Sequence, residues 1–399
     1  MEDPSIRLTK NVSDAEMERR WKAVRKQMKA RKIDYLVIQN QEEYQGGNLR
    51  WFSNLTARHQ FPVTIIFPVD DEMTTIVCGS EAPAPNVPAP WQASGIKNRL
   101  GDVYFLPISE TNTWDAELAL KVLSEKKNAT IGYVQRVSIP VTFHEHLAKN
   151  LPGATFVDAS DWVDELKWVK SPEEIELIKG TAALQDAVMQ ELKNIIQPGK
   201  RELDVYAEAH CIASKLGCER GIVLVGSGPA NTMFGPESPH YLNRVINVGD
   251  LVLVLIECNG PGGYYAEIAR YYSVGVEPTQ ELLEVFEACK EAQDMMAKNL
   301  VPGASVNDIF AEYKSFITGK GYIASSRSVG HGQSQSLLDR PNIYARPVEP
   351  WTIKPNMNIA LHPTAVYAPF VVGMCCDNYI TDDNGAQRIH KFPREITVL

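Results

Sequence analysis

Two glutamates in the C-terminal part of this 399-residue chain are placed to do acid–base chemistry. Glu257 ends the apolar run LVLVLIE, and Glu267 follows ten residues later, beyond the glycine turn at 260–263. Two carboxylates held close together on adjacent strands raise the pKa of one of them, which produces an acid/base pair or a cation site. The alternatives are a strand-end glutamate in water, or a structural set in which Arg270 pairs with either carboxylate.

Three histidines lie near the same predicted strands. His240 follows the turn-rich stretch FGPESP, so its ring is able to overhang the sheet, and histidine is the usual general acid or base near neutral pH. His331 stands between two glycines at a strand end, where close backbone approach is needed, and His362 follows the strand MNIAL. Cys376 and Asp377 lie on the last strand. Each histidine alone could equally be a core or surface residue with ordinary hydrogen-bond partners. Because all three fall near the same strands as the glutamates, the pattern favours an enzyme over a non-catalytic protein.

The elements that carry these residues belong to an internal repeat. Pro198-Gly199 matches Pro302-Gly303, a spacing of 104 residues (302 − 198), and Val225–Gly228 matches Val329–Gly332 at the same spacing. Ser227 in the first copy therefore takes the place of His331 in the second. A doubled helix–helix–strand unit makes a cleft between its halves, and small-molecule sites favour such clefts.

The N-terminal part alternates helices with strands, starting at a capping box formed by Ser13 and Glu16. Strand-like segments such as DYLVIQ, VTIIFP and ATIGYV follow, which predicts an α/β domain over residues 1–165. The segment SPEE at 171–174 then starts a new helix with a serine cap, proline at the first position and glutamate at the third. Residues 166–399 are predicted to pack helices on an antiparallel-rich sheet, so the whole chain is of the α+β class.

Composition excludes several classes of function. The net charge of −9 argues against nucleic acid and against an anionic membrane surface, since both need basic patches. No apolar run approaches the roughly 20 residues of a membrane span, and the polar N-terminus lacks a signal-peptide core. The seven scattered cysteines form no CxxC pair, so neither a disulfide framework nor a zinc knuckle is indicated. We expect a cytoplasmic protein that acts on a small molecule.

Several motifs in order along the chain resemble the "pita-bread" family of creatinase, prolidase, aminopeptidase P and methionine aminopeptidase. The match covers roughly the full length and is greatest to the two-domain creatinase/prolidase branch. The matching segments are KSPEEIELIK, SPHY, GDLVLV, GGYYAEIAR, GHG, MNIALHP and DNYITDDNGAQRIHKFP. The resemblance implies a pseudo-twofold pita-bread catalytic domain behind a smaller α/β domain.

The peptidases of this family hold two metal ions with Asp, Asp, His, Glu and Glu, and this chain departs from that set. Only the histidine is kept, and the position of the second catalytic histidine is also lost. The first Asp falls near Leu255-Ile256, the second at Glu267, the His at His331, the first Glu at His362, the last Glu at Cys376 or Asp377, and the second histidine at Leu338 or Asp339.

Two explanations of this departure compete. In the favoured one the site has lost its metals and the chain resembles creatinase and ectoine hydrolase, which are metal-free C–N hydrolases. The resemblance then implies that His240 shuttles the proton. Glu257 and Glu267 orient a cationic or zwitterionic substrate or the water, and His331 and His362 stabilise the developing charge. No cofactor is expected in this case.

In the second explanation a changed ligand set still holds one divalent ion of iron, zinc or manganese. Its members would be Glu257, Glu267, His331, His362 and Asp377. The dimethylsulfoniopropionate lyases of the family are a precedent for altered ligands, and an altered Xaa-Pro dipeptidase is another possibility. A third hypothesis is that the chain is a non-catalytic binding protein.

The resemblance also implies a homodimer in which the N-terminal domain of one subunit closes the site of the other. The corresponding segment is WFSNLTARHQFPV at 51–63, from which we expect a substrate contact by Arg58, His59 or Phe61. Within the catalytic domain, the residues expected to line the substrate pocket are Tyr265, Arg270, Cys376 and Asp377.

Overall fold

The computed structural model describes residues 11–40, 47–56, 61–78, 93–102, 113–229, 232, 235, 243–344, 351–367 and 371–399. The chain divides into two compact units, Asn11–Lys167 and Trp168–Leu399. The division falls two residues after residue 165, where the sequence pattern places the domain boundary. Within the described ranges, no helix combines the length and the apolar character that a membrane crossing requires.

The first unit is built on one six-stranded mixed sheet in the order β4-β3-β2-β1-β5-β6. Its strands are β1 (Tyr35–Asn40), β2 (Val63–Pro68), β3 (Met73–Cys78), β4 (Ile96–Asp102), β5 (Thr130–Val134) and β6 (Thr155–Asp158). Its helices are α1 (Asp14–Arg31), α2 (Gly47–Ser53), α3 (Trp114–Leu123), α4 (Val141–Asn150) and α5 (Ser160–Trp168). Helix α1 begins after Ser13, whose hydroxyl accepts from the Glu16 amide, as the sequence predicts. Apolar clusters on both sheet faces give the predicted α/β layering.

In the residues that the structure describes, the second unit combines four α-helices with three sheets. The helices are α6 (Pro172–Ile195), α7 (Glu202–Lys215), α8 (Gln280–Asn299) and α9 (Val306–Gly319). The strands are β7 (Gly221–Pro229), β8 (Asp250–Asn259), β9 (Tyr265–Ser273), β10 (Ile323–Ala324), β11 (Gly330–Gly332), β12 (Asp339–Ile343), β13 (Asn358–Leu361), β14 (Thr364–Tyr367), β15 (Val371–Met374), β16 (Asp377–Asp382), β17 (Gly385–Arg388) and β18 (Thr397–Val398). Helix α6 has the predicted capping box between Ser171 and Glu174.

Two sheets of this unit position the candidate site. One has the order β18-β9-β8-β7 and the other the order β12-β11-β13-β16-β17. An isolated antiparallel bridge between Ala269 and Cys376 joins them. Successive side chains on β8 alternate between two cores, because Leu251 and Leu253 lie in one apolar cluster while Val252 and Val254 lie in the other. The strand is thus buried on both faces, which explains its uninterrupted apolar run.

The internal repeat is visible in the helix bounds. Helix α9 begins and ends 104 residues after α7 (306 − 202 and 319 − 215). In the first copy, Ser227 lies on β7, the strand that follows α7, and its hydroxyl donates to the buried Glu202 carboxylate at 2.6 Å. His331 takes the equivalent place in the second copy. Arg244 also donates to Ser227, so a hydrogen-bond network of Glu202, Ser227 and Arg244 occupies this position in the first copy.

Candidate active site

The two hairpin glutamates face each other across adjacent strands. Glu257 on β8 pairs directly with Glu267 on β9, and both side chains are buried, with 8% and 4% of their surface exposed. Residues directly opposite in an antiparallel pair have Cβ atoms about 4.5–5.5 Å apart. Glu257 continues the series Leu251, Leu253, Leu255 and therefore points toward the same face as that apolar cluster.

The second sheet supplies the two histidines. His331 on β11 pairs with Ala360 on β13, and His362 directly follows β13. The strands approach closely because Gly330 has no side chain; a Cβ atom there would lie 2.8 Å from the Ala360 carbonyl oxygen. The two imidazole rings lie 5.2 Å apart between their centroids. The glycine-flanked motif therefore has the close-approach role that the sequence predicts.

Glu267, His331 and His362 form a cluster whose possible ligand atoms all lie within 4.8 Å of one another. Nδ1 of His331 lies 3.1 Å from the Gly332 carbonyl oxygen, which accepts a hydrogen bond from it. In the neutral ring Nε2 then carries the free lone pair, and this atom lies 3.2 Å from Oε2 of Glu267. Despite this distance, Oε2 is buried without a hydrogen bond. Two acceptor atoms turned toward each other, with one ring fixed by a backbone carbonyl, suit one bound cation.

Without a metal ion, burial and mutual attraction set the charges of these three groups. Burial alone would raise the pKa of Glu267, but His362 and His331 outweigh it and lower the pKa to about 2. Burial alone would lower the pKa of His331, but the Glu267 carboxylate raises it to about 9. Burial lowers the pKa of His362 to about 4 in spite of Glu267. At neutral pH the cluster therefore contains one carboxylate, one imidazolium and one neutral imidazole.

The metal-free protein should lose stability as pH rises above about 6.5. His331 has a pKa of about 9 in the fold and 6.5 when unfolded, so its contribution is complete below 6.5 and is lost as pH rises through 9. The raised pKa of the buried Glu257 acts in the same direction, since its contribution is also lost as pH rises. His362 has a pKa of about 4 in the fold and acts in the opposite direction between pH 6.5 and 4, where it offsets Glu257. Urea midpoints of EDTA-treated protein across this range measure the net dependence.

Matched variants separate these contributions. His331→Gln should reduce the alkaline loss of stability to the part that Glu257 contributes, and His362→Gln should make stability fall with rising pH on the acid side as well. An alkaline slope as steep in His331→Gln as in the parent protein would refute the ion pair between His331 and Glu267.

Glu257 behaves differently from Glu267. Burial and the neighbouring Glu267 charge raise its pKa well above the usual value, which favours the protonated carboxyl. Its Oε1 accepts a hydrogen bond of 2.8 Å from Nε2 of Gln333. The pKa values of the two carboxyl groups therefore shift in opposite directions, that of Glu257 upward and that of Glu267 downward.

Arg270 and Asp377 form a structural ion pair, which corrects their expected roles in substrate or metal binding. Both side chains are fully buried, and Nη2 of Arg270 donates to Oδ1 of Asp377 at 2.6 Å. The other N–H groups of Arg270 donate to the backbone carbonyls of Ala269, Cys376, Phe392 and Pro393. Arg388 also donates to Asp377. All five donors of the guanidinium are occupied, so Arg270 has none for a substrate and Asp377 is already neutralised.

The remaining expected residues are placed as follows. Cys376 is buried with Sγ 3.8 Å from the Glu267 carbonyl oxygen, and burial raises the pKa of its thiol well above the usual value. A neutral thiol is a poor nucleophile and a poor metal ligand. Tyr265 is buried on the same face of β9 as Glu267. Phe61 lies in the first unit, just before β2, and is partly exposed. His240, Arg58 and His59 lie outside the described residues.

Three buried amides near the glutamates are absent from the expected set. Gln333, Asn358 and Asn378 have at most 1% of their surface exposed. They are hydrogen-bonded to one another and to the hairpin. The sequence signal is an asparagine or glutamine inside an otherwise apolar strand or next to a glycine-flanked histidine, since such residues are seldom fully buried.

The family comparison agrees with this architecture. The model described as "Metallopeptidase family M24" matches residues 176–390, more than half of the chain. The chain belongs to Metallopeptidase family M24. A second model, "Creatinase/Prolidase N-terminal domain", matches residues 20–169. The resemblance to the creatinase/prolidase branch and the two-domain α+β fold are confirmed, as is the prediction of a hydrolase of this family.

Individual relatives of this M24 protein are distant. It is 25% identical over 252 residues to the "Uncharacterized peptidase YqhT" of Bacillus subtilis, covering 62% of this chain and 69% of that one. It is 27% identical over 251 residues to the "Probable dipeptidase PepE" of Mycobacterium tuberculosis, covering 62% of this chain and 65% of that one. The fold matches the Xaa-Pro dipeptidase from Bacillus anthracis with a TM-score of 0.77, at 21% identity over 96% of this chain and 100% of that one.

Proposed function

We propose that this M24 protein hydrolyses a C–N bond in a small zwitterionic molecule. The observation that carries the proposal is the buried carboxyl of Glu257, which lies directly opposite Glu267 of the cluster with His331 and His362 and whose raised pKa favours its protonated form. A protonated acid beside a group of ligand-type side chains is an arrangement for protonating a leaving nitrogen while water attacks the adjacent carbon.

Glu257 has the central role in the proposed reaction. It gives its proton to the leaving nitrogen as the C–N bond breaks, and the water that enters the carbon returns a proton to it. Each turnover therefore leaves the carboxyl as it began. Gln333 holds Oε1 of Glu257, so Oε2 is the oxygen left to face the reacting atoms. His240 stays the predicted second acid or base.

The described residues suit one divalent ion and do not suit two. Glu267, His331 and His362 converge, and Oε2 of Glu267 lacks a hydrogen bond. A second ion would need Asp377, which Arg270 and Arg388 already neutralise. Glu267, His331 and His362 would hold one ion, which would supply Lewis-acid chemistry for a carbonyl oxygen and lower the pKa of water. This supports the second of the two explanations of the altered ligand set.

The local charge favours a zwitterion over a simple cation. Burial and the Glu267 charge raise the pKa of Glu257, and the Glu267 carboxylate lies 3.2 Å from Nε2 of His331, so neither carboxyl group is favoured as the partner of a simple cation. Relatives named as dipeptidases, whose substrates carry both an amine and a carboxylate, fit this condition.

A panel of three compounds tests the proposal. Glycyl-L-proline, creatine and dimethylsulfoniopropionate are incubated with protein as purified, with EDTA-treated protein, and with protein reloaded with Zn²⁺, Mn²⁺ or Fe²⁺. Release of proline or sarcosine supports C–N hydrolysis, with or without a metal requirement. Release of acrylate alone would establish the lyase instead, and tight binding of a panel member without turnover would establish a binding protein.

Replacing Glu267 with Gln is expected to weaken Zn²⁺ binding by more than about 100-fold, because loss of even an outer-shell partner costs about 10- to 100-fold. Competition against a chromophoric chelator measures the affinity. Asp115→Asn is the matched control, since Asp115 is a buried carboxyl of the first unit. Equal Zn²⁺ affinity of the two variants would remove the ion from the proposal.

We further propose that the protein forms a homodimer in which the segment at 51–63 contacts the partner's substrate, as the family resemblance implies. Light scattering coupled to size-exclusion chromatography measures the mass. A monomer at assay concentrations with full turnover would refute this proposal.

A further inference from the structure

The two hairpin glutamates are joined by a chain of buried amides, here called the amide relay: Gln333, Asn358 and Asn378. The backbone N–H of Glu267 donates to Oδ1 of Asn378 at 2.7 Å. Nδ2 of Asn378 donates to Oε1 of Gln333 at 2.8 Å and to Oδ1 of Asn358 at 2.9 Å. Nε2 of Gln333 then donates to Oε1 of Glu257 at 2.8 Å. The relay therefore starts at one glutamate and ends at the other.

The direction of every hydrogen bond in the relay is determined by the backbone groups that contact it. The Glu267 N–H can only donate, so the atom of Asn378 that it meets must be the amide oxygen. On the side branch, Nδ2 of Asn358 meets the carbonyl oxygens of Tyr265 and Gln333, which can only accept, so Oδ1 of Asn358 accepts from Asn378. Both contacts impose the same orientation on Asn378, and through it on Gln333. Consequently Gln333 must present its N–H to Glu257.

This orientation selects one oxygen of Glu257. Oε1 is held as a hydrogen-bond acceptor, while Oε2 makes no hydrogen bond among the described residues. The side chain keeps 8% of its surface exposed, whereas the relay amides are enclosed. A buried polar network is costly unless every polar group has a hydrogen-bond partner, and apolar side chains would fill the same space without that cost. The three amides therefore have a role beyond filling the space.

We propose that Gln333 and Asn378 are positioning residues that aim Oε2 of Glu257 at the reacting atoms. The inference rests on the proposed function for its effect on turnover, but its structural part is independent of it. A displacement of about 1 Å in a reacting group can cost about 100-fold in rate. We therefore expect loss of the relay to appear in kcat and to leave KM little changed.

Gln333→Met tests the relay and Gln335→Met is its matched control. Gln335 is also a buried glutamine of the same loop, but its Nε2 donates to the Gly262 carbonyl and not to a glutamate. Crystal structures of both variants and of the parent protein report the position of the Glu257 carboxyl. Steady-state kinetics with whichever panel compound is turned over report kcat and KM.

We expect the Glu257 carboxyl to leave its position in Gln333→Met and to keep it in Gln335→Met, with kcat reduced about 100-fold in the first only. Asn378→Asp is a second probe, because an aspartate cannot donate to Gln333. The Gln333 amide would then turn around, and Glu257 would have to donate from Oε1, so kcat should fall again with little change in KM.

An unmoved Glu257 carboxyl in Gln333→Met would overturn the inference, whether or not any compound is turned over. Equal loss of kcat in Gln333→Met and Gln335→Met would also overturn it, since that pattern indicates a general packing effect. Failure of the parent protein to turn over any panel compound contradicts the proposed function alone, because the crystallographic comparison still decides the relay. If Gln333→Met does not fold, Asn378→Asp is the variant carried through both measurements.

Discussion

Replacing Glu257 with Gln should lower kcat by about 10²- to 10⁴-fold, the usual contribution of a positioned general acid or base. Glutamine keeps the shape of the side chain, and its amide oxygen can still accept the hydrogen bond from Gln333. It cannot supply the proton that the leaving nitrogen needs. The measurement is steady-state kinetics on the panel compound with the highest turnover in the parent protein.

The control for this substitution is Zn²⁺ affinity and the urea midpoint of the same variant. Both should stay close to the parent values, because Glu257 lies outside the three-residue cluster and glutamine keeps the hydrogen bond with Gln333. Turnover within about ten-fold of the parent would mean that Glu257 is not the acid, since general acids contribute at least about 10²-fold. His240 would then be the candidate that remains.

Replacing Arg270 with Met should destabilise the fold by about 3–5 kcal/mol, the usual cost of leaving one partner of a buried ion pair without the other. Asp377 would keep only Arg388, which is partly exposed, and four backbone carbonyls would lose their donor. Equilibrium urea unfolding measures the free-energy change. The double variant Arg270→Met with Asp377→Leu should recover much of it, because apolar replacement of a whole buried pair is often neutral.

Arg394→Met is the matched control for this prediction. Arg394 pairs with Asp294, whose carboxylate is 58% exposed, and exposed pairs contribute about 0–1 kcal/mol. Equal losses in Arg270→Met and Arg394→Met would contradict a structural role for the buried pair. A folded Arg270→Met protein that loses substrate affinity without losing stability would return Arg270 to the substrate pocket.

The sequence predicts the backbone that holds the site more completely than the contacts within it. The apolar run ending at Glu257 and the glycines around His331 specify strands and close approach, which are local properties of the chain. The capping box at Ser171 likewise depends on four consecutive residues. These expectations hold because neighbouring residues determine them.

The partners of the charged groups could not be read from the chain in this way. Arg270 is three residues from Glu267 yet pairs with Asp377, more than 100 residues later, because the two sheets meet at that point. Asn378 reaches the Glu267 amide for the same reason. Residue type and spacing along one strand contain no information on which distant side chain neutralises a charge. Only the fold shows that three of the five candidate ligands, Glu267, His331 and His362, lie together.

The origin of the cluster on two separate sheets has a consequence for how this chemistry can change over time. Glu267 comes from a hairpin of one sheet, while His331 and His362 come from strand ends of the other. Each side chain projects from a backbone that its own sheet maintains, so any one of them can be exchanged without rebuilding the others. New reactions can therefore arise in this scaffold by single codon changes, with the architecture inherited intact.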